Sequence, residues 1–228
     1  MHKSLYIRIL FYTCGLSICL YGYFSERRPQ KYNFLGPCCS KLLLMTYNGM
    51  ILTMITILLG IYILINKLFK RKIDTLLKLH SLFSNISYGL EIVVVSVYWP
   101  MNFIKPELIN SSAYKYGYRI PFFKQMSIHV FPFIICLVEV LTCKIDNTLH
   151  KYVGMFVICT CYSSAITIFC GKFNFKYPYG FLKKLNFFTT LLLFYALTIF
   201  SCIFVKLTNF FRKKYNFPQN FIKKYINK

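Results

Sequence analysis

Six apolar runs, at about 5–23, 42–65, 82–99, 121–143, 152–171 and 185–204, divide this chain. Each is long enough to cross roughly 30 Å of bilayer hydrocarbon at about 1.5 Å per residue. Backbone N–H and C=O groups find no water there, so such runs must close their hydrogen bonds internally as helices. The sequence therefore predicts an all-α, polytopic membrane protein, a six-span helical bundle forming one transmembrane domain over 1–228. With 57% hydrophobic and 19% aromatic residues, the chain carries more apolar surface than a soluble core of this size could cover. The first run is read as a span, because Ser25-Glu26-Arg27-Arg28-Pro29 lacks a small-residue cleavage site.

A net charge of +22 would suggest nucleic acid in a soluble domain. Here the Lys and Arg residues lie almost entirely between the apolar runs, where they anchor helix ends among headgroups. Membrane lipid is the expected partner and nucleic acid is not. Lys67, Lys70, Arg71 and Lys72 form the densest basic block. Six spans put both termini on one side, and a small excess of positive charge there favours cytosolic termini, in the endoplasmic reticulum or the plasma membrane. Asn110-Ser111-Ser112 is then a luminal glycosylation sequon.

Of ten cysteines, Cys14, Cys19, Cys136, Cys159, Cys161 and Cys170 lie inside apolar runs, where cysteine acts as a small hydrophobe. Neither CxxC nor a Cys/His cluster with zinc spacing occurs, so no metal and no cofactor is expected. The loop pair Cys38-Cys39 is open to oxidation or acylation.

His129 reads as the only histidine inside a long apolar run. An imidazole in hydrocarbon needs either a hydrogen-bonding partner on a neighbouring helix or a chemical task. Spans two and four start from the same face, with Thr46 about four residues into one and His129 about eight into the other. Both therefore fall within roughly 6–12 Å of that face. A threonine hydroxyl beside a base can attack an acyl carbonyl. Asn48, Gln125 and the tyrosines are candidate oxyanion donors, and Lys41 or Lys124 could pair with the free carboxylate of a lipid ester. Alternatively Thr46 bonds its own i−4 carbonyl, the role assigned to Thr53 and Thr56. Glu91 and Glu139 are expected to face the bundle interior. Glu139 lies about 15 Å and nearly 80° around a helix from His129, which makes it an interhelical or span-end residue. No transporter-like repeat or broken helix pair is visible, and no GxSxG elbow occurs.

Three segments resemble a known family. Val94-Val95-Ser96-Val97-Tyr98-Trp99 is similar to V-V-x-V-F-W, and the spacing from Ile120-Pro121 through His129 to Glu139 matches an I-P-x-W-x-N-H-x-x-H…P-F-x-x-x-E segment. Phe175-Lys176-Tyr177-Pro178 is similar to W-x-Y-P. These motifs belong to the FAR-17a/AIG-like membrane proteins, which include the androgen-induced gene product and the androgen-dependent TFPI-regulating protein. The resemblance implies six spans and an intramembrane threonine hydrolase that cleaves fatty acid esters of hydroxy fatty acids with a Thr and a His. His129 takes the place of the family's second histidine, while Gln125 and Met126 stand where the family has Asn and its first histidine. The segment Lys41 to Asn48 resembles K-x-L-T-F-x-N/D; with Asn48 in register, Met45 stands opposite the nucleophile and Thr46 one residue later. Thr46 as nucleophile and His129 as base is the resulting expectation. The rival is a catalytically inactive membrane interaction or scaffold protein of the same fold.

Overall fold

The computed structural model describes residues 2–25, 44–109, 120–142, 150–172 and 177–215. Lys41, Cys38-Cys39, Asn110 and Phe175-Lys176 lie outside them. The helices are α1 (His2–Phe24), α2 (Met45–Leu68), α3 (Asp74–Ile104), α4 (Phe122–His129), α5 (Phe131–Thr142), α6 (His150–Ile166) and α7 (Phe187–Lys214). A π turn, Thr167–Lys172, follows α6, and a 3-10 turn, Gly180–Lys184, precedes α7. No strand occurs among the described residues. Six helical segments are long and apolar enough to cross a membrane, α4 and α5 together making the fourth. The protein is a multi-pass, six-span helical bundle.

Three expectations need correction. The sequence places the third span over 82–99, but α3 starts at Asp74 and runs through Pro100 to Ile104. Asp74 in its first turn complements the positive end of the helix dipole, and Pro100, near the C-terminus, removes only one backbone donor. Because α3 starts early, His80 lies inside the span and is 3% exposed, so His129 is not the only intramembrane histidine. Finally, the fourth span is broken at Val130, between α4 and α5. Pro132 has no N–H for the carbonyl four residues earlier, at Ile128, and its ring crowds that carbonyl.

α3 is the central element. It packs against α2, α4, α5, α6 and α7, and 72% of its membrane window is buried, against 22–44% for the other spans. Its buried positions include His80, Ser81, Ser84, Asn85, Ser87 and Glu91. Small polar residues let helices approach closely and bond one another in lipid. Asn209 of α7 donates to Asn85 Oδ1 at 3.2 Å, and the Tyr88 and Thr208 hydroxyls meet at 2.9 Å. Ile86, Tyr88, Val140, Met155 and Val205 form one apolar cluster around α3; Tyr12, Cys19, Met50, Ile57 and Ile135 form another between α1, α2 and α5. Outward residues such as Leu10, Phe103 and Phe188 are exposed, the lipid-facing surface such a bundle requires.

Gly60 shows how closely α1 and α2 approach. A Cβ there would lie 2.5 Å from Tyr12 Cζ and 2.6 Å from its hydroxyl, and Tyr12 is 2% exposed. Gly60→Ala is expected to cost about 1–3 kcal/mol through overpacking, read as a lower thermal midpoint in detergent. An unchanged midpoint would mean that the ring can move aside freely.

Candidate functional site at the head of the second span

α2 starts without help from its own sequence, since the N-cap residue is Leu44, whose side chain offers no hydrogen bond. The cap comes from 134 residues away: Met45 N–H donates to the Tyr179 hydroxyl at 3.1 Å. Tyr179 sits beside the buried Pro178 and stacks on Phe181 with ring centroids 5.7 Å apart. The Thr46 side chain, 7% exposed, also hydrogen-bonds the Tyr179 hydroxyl, and Tyr162 of α6 bonds the same phenol. Hydroxyls from α2, α6 and the 177–186 link therefore converge on one point. Burial pushes the Tyr179 phenol above its ordinary value, while hydrogen bonds from Thr46 and the Met45 amide pull the other way. The phenol is neutral at physiological pH and can donate as well as accept.

His129 closes α4 and is 6% exposed. Its ring stacks on Tyr98 of α3, with centroids 3.4 Å apart and planes 16° apart. Nδ1 is buried without a hydrogen-bond partner among the described residues. Lys124 is buried, and its Nζ donates to the Ser25 carbonyl at 3.0 Å, just past the end of α1. A cation there complements the negative pole of that helix. Gln125 Nε2 donates to the Ile120 carbonyl at 2.8 Å. Asn48 lies half-buried on the first turn of α2, its N–H donating to Leu44 O at 3.3 Å. Thr46 and Asn48 thus belong to α2, and Lys124, Gln125 and His129 to α4, two helices in contact. No hydrogen bond joins Thr46 to His129.

Depth in the bundle can be compared through α3, which runs antiparallel to α2. A Cβ at Gly49 would lie 2.7 Å from Glu91 Oε1, so these two residues are level. Thr46 is three residues outward from Gly49, roughly 4–5 Å. Tyr98, under the His129 ring, is seven residues outward from Glu91, roughly 10 Å. The Thr46 hydroxyl and the imidazole therefore lie in the outer part of the same end of the bundle, about 6 Å apart in depth.

Deeper in the bundle, the Thr53 hydroxyl lies 3.0 Å from Gly49 O, 3.3 Å from Glu91 Oε1 and 3.3 Å from Cys136 Sγ. Thr56 donates to Leu52 O at 2.9 Å and meets Ser87 Oγ at 3.1 Å. Both threonines make the i−4 bond expected of them. Toward the opposite end, the Tyr12 hydroxyl donates to Glu139 Oε2 at 3.1 Å. His80 Nε2 lies 3.4 Å from the same oxygen, within ion-pair distance but outside hydrogen-bond geometry. Glu139 thus joins helices and does not orient His129.

A family model described as FAR-17a/AIG1-like protein matches residues 7–213. The chain belongs to the FAR-17a/AIG1-like family. Comparison with curated proteins and with solved structures gave no match. The FAR-17a/AIG1-like region runs from α1 to the end of α7 and contains all five candidate residues.

Within this FAR-17a/AIG1-like bundle, sequence reasoning had missed His80 and Tyr179. His80 was hidden among the polar residues opening α3. Tyr179 adjoins the Tyr177-Pro178 motif, the one signal that could have drawn attention to it. A trough of about 460 Å³ along the outer face of α6, lined by Tyr152, Phe156, Val157 and Thr160, lies away from these groups and faces lipid.

Proposed function

We propose that this FAR-17a/AIG1-like chain is an intramembrane lipid ester hydrolase acting on fatty acid esters of hydroxy fatty acids, with Thr46 as nucleophile and His129 as base. The observation that carries the reading is the buried Nδ1 of His129, which has no partner among the described residues and lies at the same end of the bundle as a buried threonine hydroxyl. A buried polar atom without a partner costs about 1–3 kcal/mol, and a neutral imidazole nitrogen of this kind suits a group whose partner is a reacting one. Thr46 Oγ attacks the ester carbonyl as its proton passes to His129, and the tetrahedral oxyanion is met by donors from Asn48 and Gln125. The intermediate collapses, and the imidazolium returns the proton to the departing hydroxy-acid oxygen. Water activated by the same imidazole then hydrolyses the acyl-threonine. Lys124, on α4 with His129, is the cation assigned to the free carboxylate of the substrate. With cytosolic termini, in the endoplasmic reticulum or plasma membrane, this end opens on the luminal or extracellular face.

One observation favours the rival reading, a catalytically inactive membrane interaction protein: the Thr46 hydroxyl bonds Tyr179 and not His129. Labelling with a fluorophosphonate probe, followed by peptide mapping, separates the two. An adduct on Thr46 that disappears in Thr46→Ala is expected. Absence of labelling, or an adduct on Thr53, overturns the assignment.

A further inference from the structure

A helix begins with four backbone N–H groups that have no partner inside it, and in a bilayer an uncapped start is costly because water is scarce. α2 meets this condition with Leu44 at its cap position, so the order of its first turn depends on Tyr179. A phenol oxygen offers one proton and two acceptor sites. The Met45 amide takes one acceptor site, and the Thr46 amide, the Thr46 hydroxyl and the Tyr162 hydroxyl also bond the phenol. Threonine is stiff about χ1, so a fixed bond to its Oγ selects one rotamer. The phenol itself is held by the stack on Phe181 and by Leu182, which is fully buried.

We infer that Tyr179 is the positioning residue for Thr46: its hydroxyl orders the first turn of α2 through the Met45 amide and sets the Thr46 rotamer through Oγ, with Tyr162 bracing it from α6. The second half of this inference rests on the reading of Thr46 as nucleophile; the first half does not.

Tyr179→Phe removes one oxygen and keeps the ring, so the test separates positioning from packing. Two readouts are taken on the full-length protein in detergent. Hydrogen exchange at the Met45 and Thr46 amides is expected to quicken about fivefold or more, the effect of losing a helix cap. Inactivation by the fluorophosphonate is expected to slow at least about tenfold in its limiting rate while its half-saturating concentration is unchanged, as loss of orientation without loss of binding requires. A fluorotyrosine at position 179, which retains the hydroxyl, is expected to restore both. If wild-type protein labels on Thr46 and Tyr179→Phe alters neither readout, the positioning role is wrong and the hydrolase stands. If wild-type protein does not label, the hydrolase reading and the rotamer half fall together, and the exchange readout alone decides whether Tyr179 orders the turn.

Discussion

His129→Ala is expected to lose about 10³-fold in lipid ester hydrolysis, within the range typical of a positioned general base, while its folded yield hardly changes. The two halves of that result have different causes. Loss of the imidazole ends the stack on Tyr98, worth about 0.5–1.5 kcal/mol, and leaves space behind. It also removes the buried Nδ1 that has no partner among the described residues, relieving about 1–3 kcal/mol. The terms oppose each other and are of similar size, so stability should move little. His129→Phe sharpens the contrast, since it keeps a ring on Tyr98 without a polar nitrogen and should be at least as stable as wild type yet equally inactive. Hydrolysis of a fluorogenic fatty ester, normalised to monodisperse protein from size exclusion, is the measurement. Activity that merely follows the folded fraction, or a His129→Phe protein that still turns over, would make the histidine a packing residue.

The six spans were legible because bilayer thickness leaves a chain with these apolar runs few alternatives. What sequence concealed was set by neighbours. The opening of α3 carries Asp74, Lys78, His80 and Ser81, which dilute its hydropathy, yet His80 and Ser81 are buried because other helices cover them. The break at Val130 was written in Pro132, but the surrounding residues are so apolar that a window of hydropathy passes over it. Thr46 and His129 were picked out by residue type and depth, which follow from counting. Their rotations do not, because the direction a helix face takes depends on the helices packed against it. Tyr179 was the hardest to see: a tyrosine in a basic link between spans resembles any interfacial aromatic, and its contact with Met45 joins positions 134 apart.

Glu139→Ala is expected to be the most destabilising single substitution considered, at about 3–5 kcal/mol, the usual cost of removing one member of a buried polar or ionic pair. At roughly 2–4 °C per kcal/mol for a chain of this size, the thermal midpoint in detergent should fall by about 10 °C. The reason is convergence. Glu139 of α5 accepts the Tyr12 hydroxyl of α1 and lies beside His80 of α3, and the backbone of Thr56 on α2 faces the same imidazole. One carboxylate therefore meets polar groups from two other helices, and through His80 the network reaches α2. Tyr12, His80 and Glu139 are at most 3% exposed, so neither the phenol nor the imidazole can turn to water when its partner is removed. Glu139→Gln keeps an acceptor for Tyr12 while removing the charge beside His80, and should cost about half as much. The network also predicts coupling: the loss in His80→Ala/Glu139→Ala should be smaller than the sum of the single losses by about 1 kcal/mol or more. Additive losses would mean that the 3.4 Å approach of imidazole to carboxylate contributes nothing.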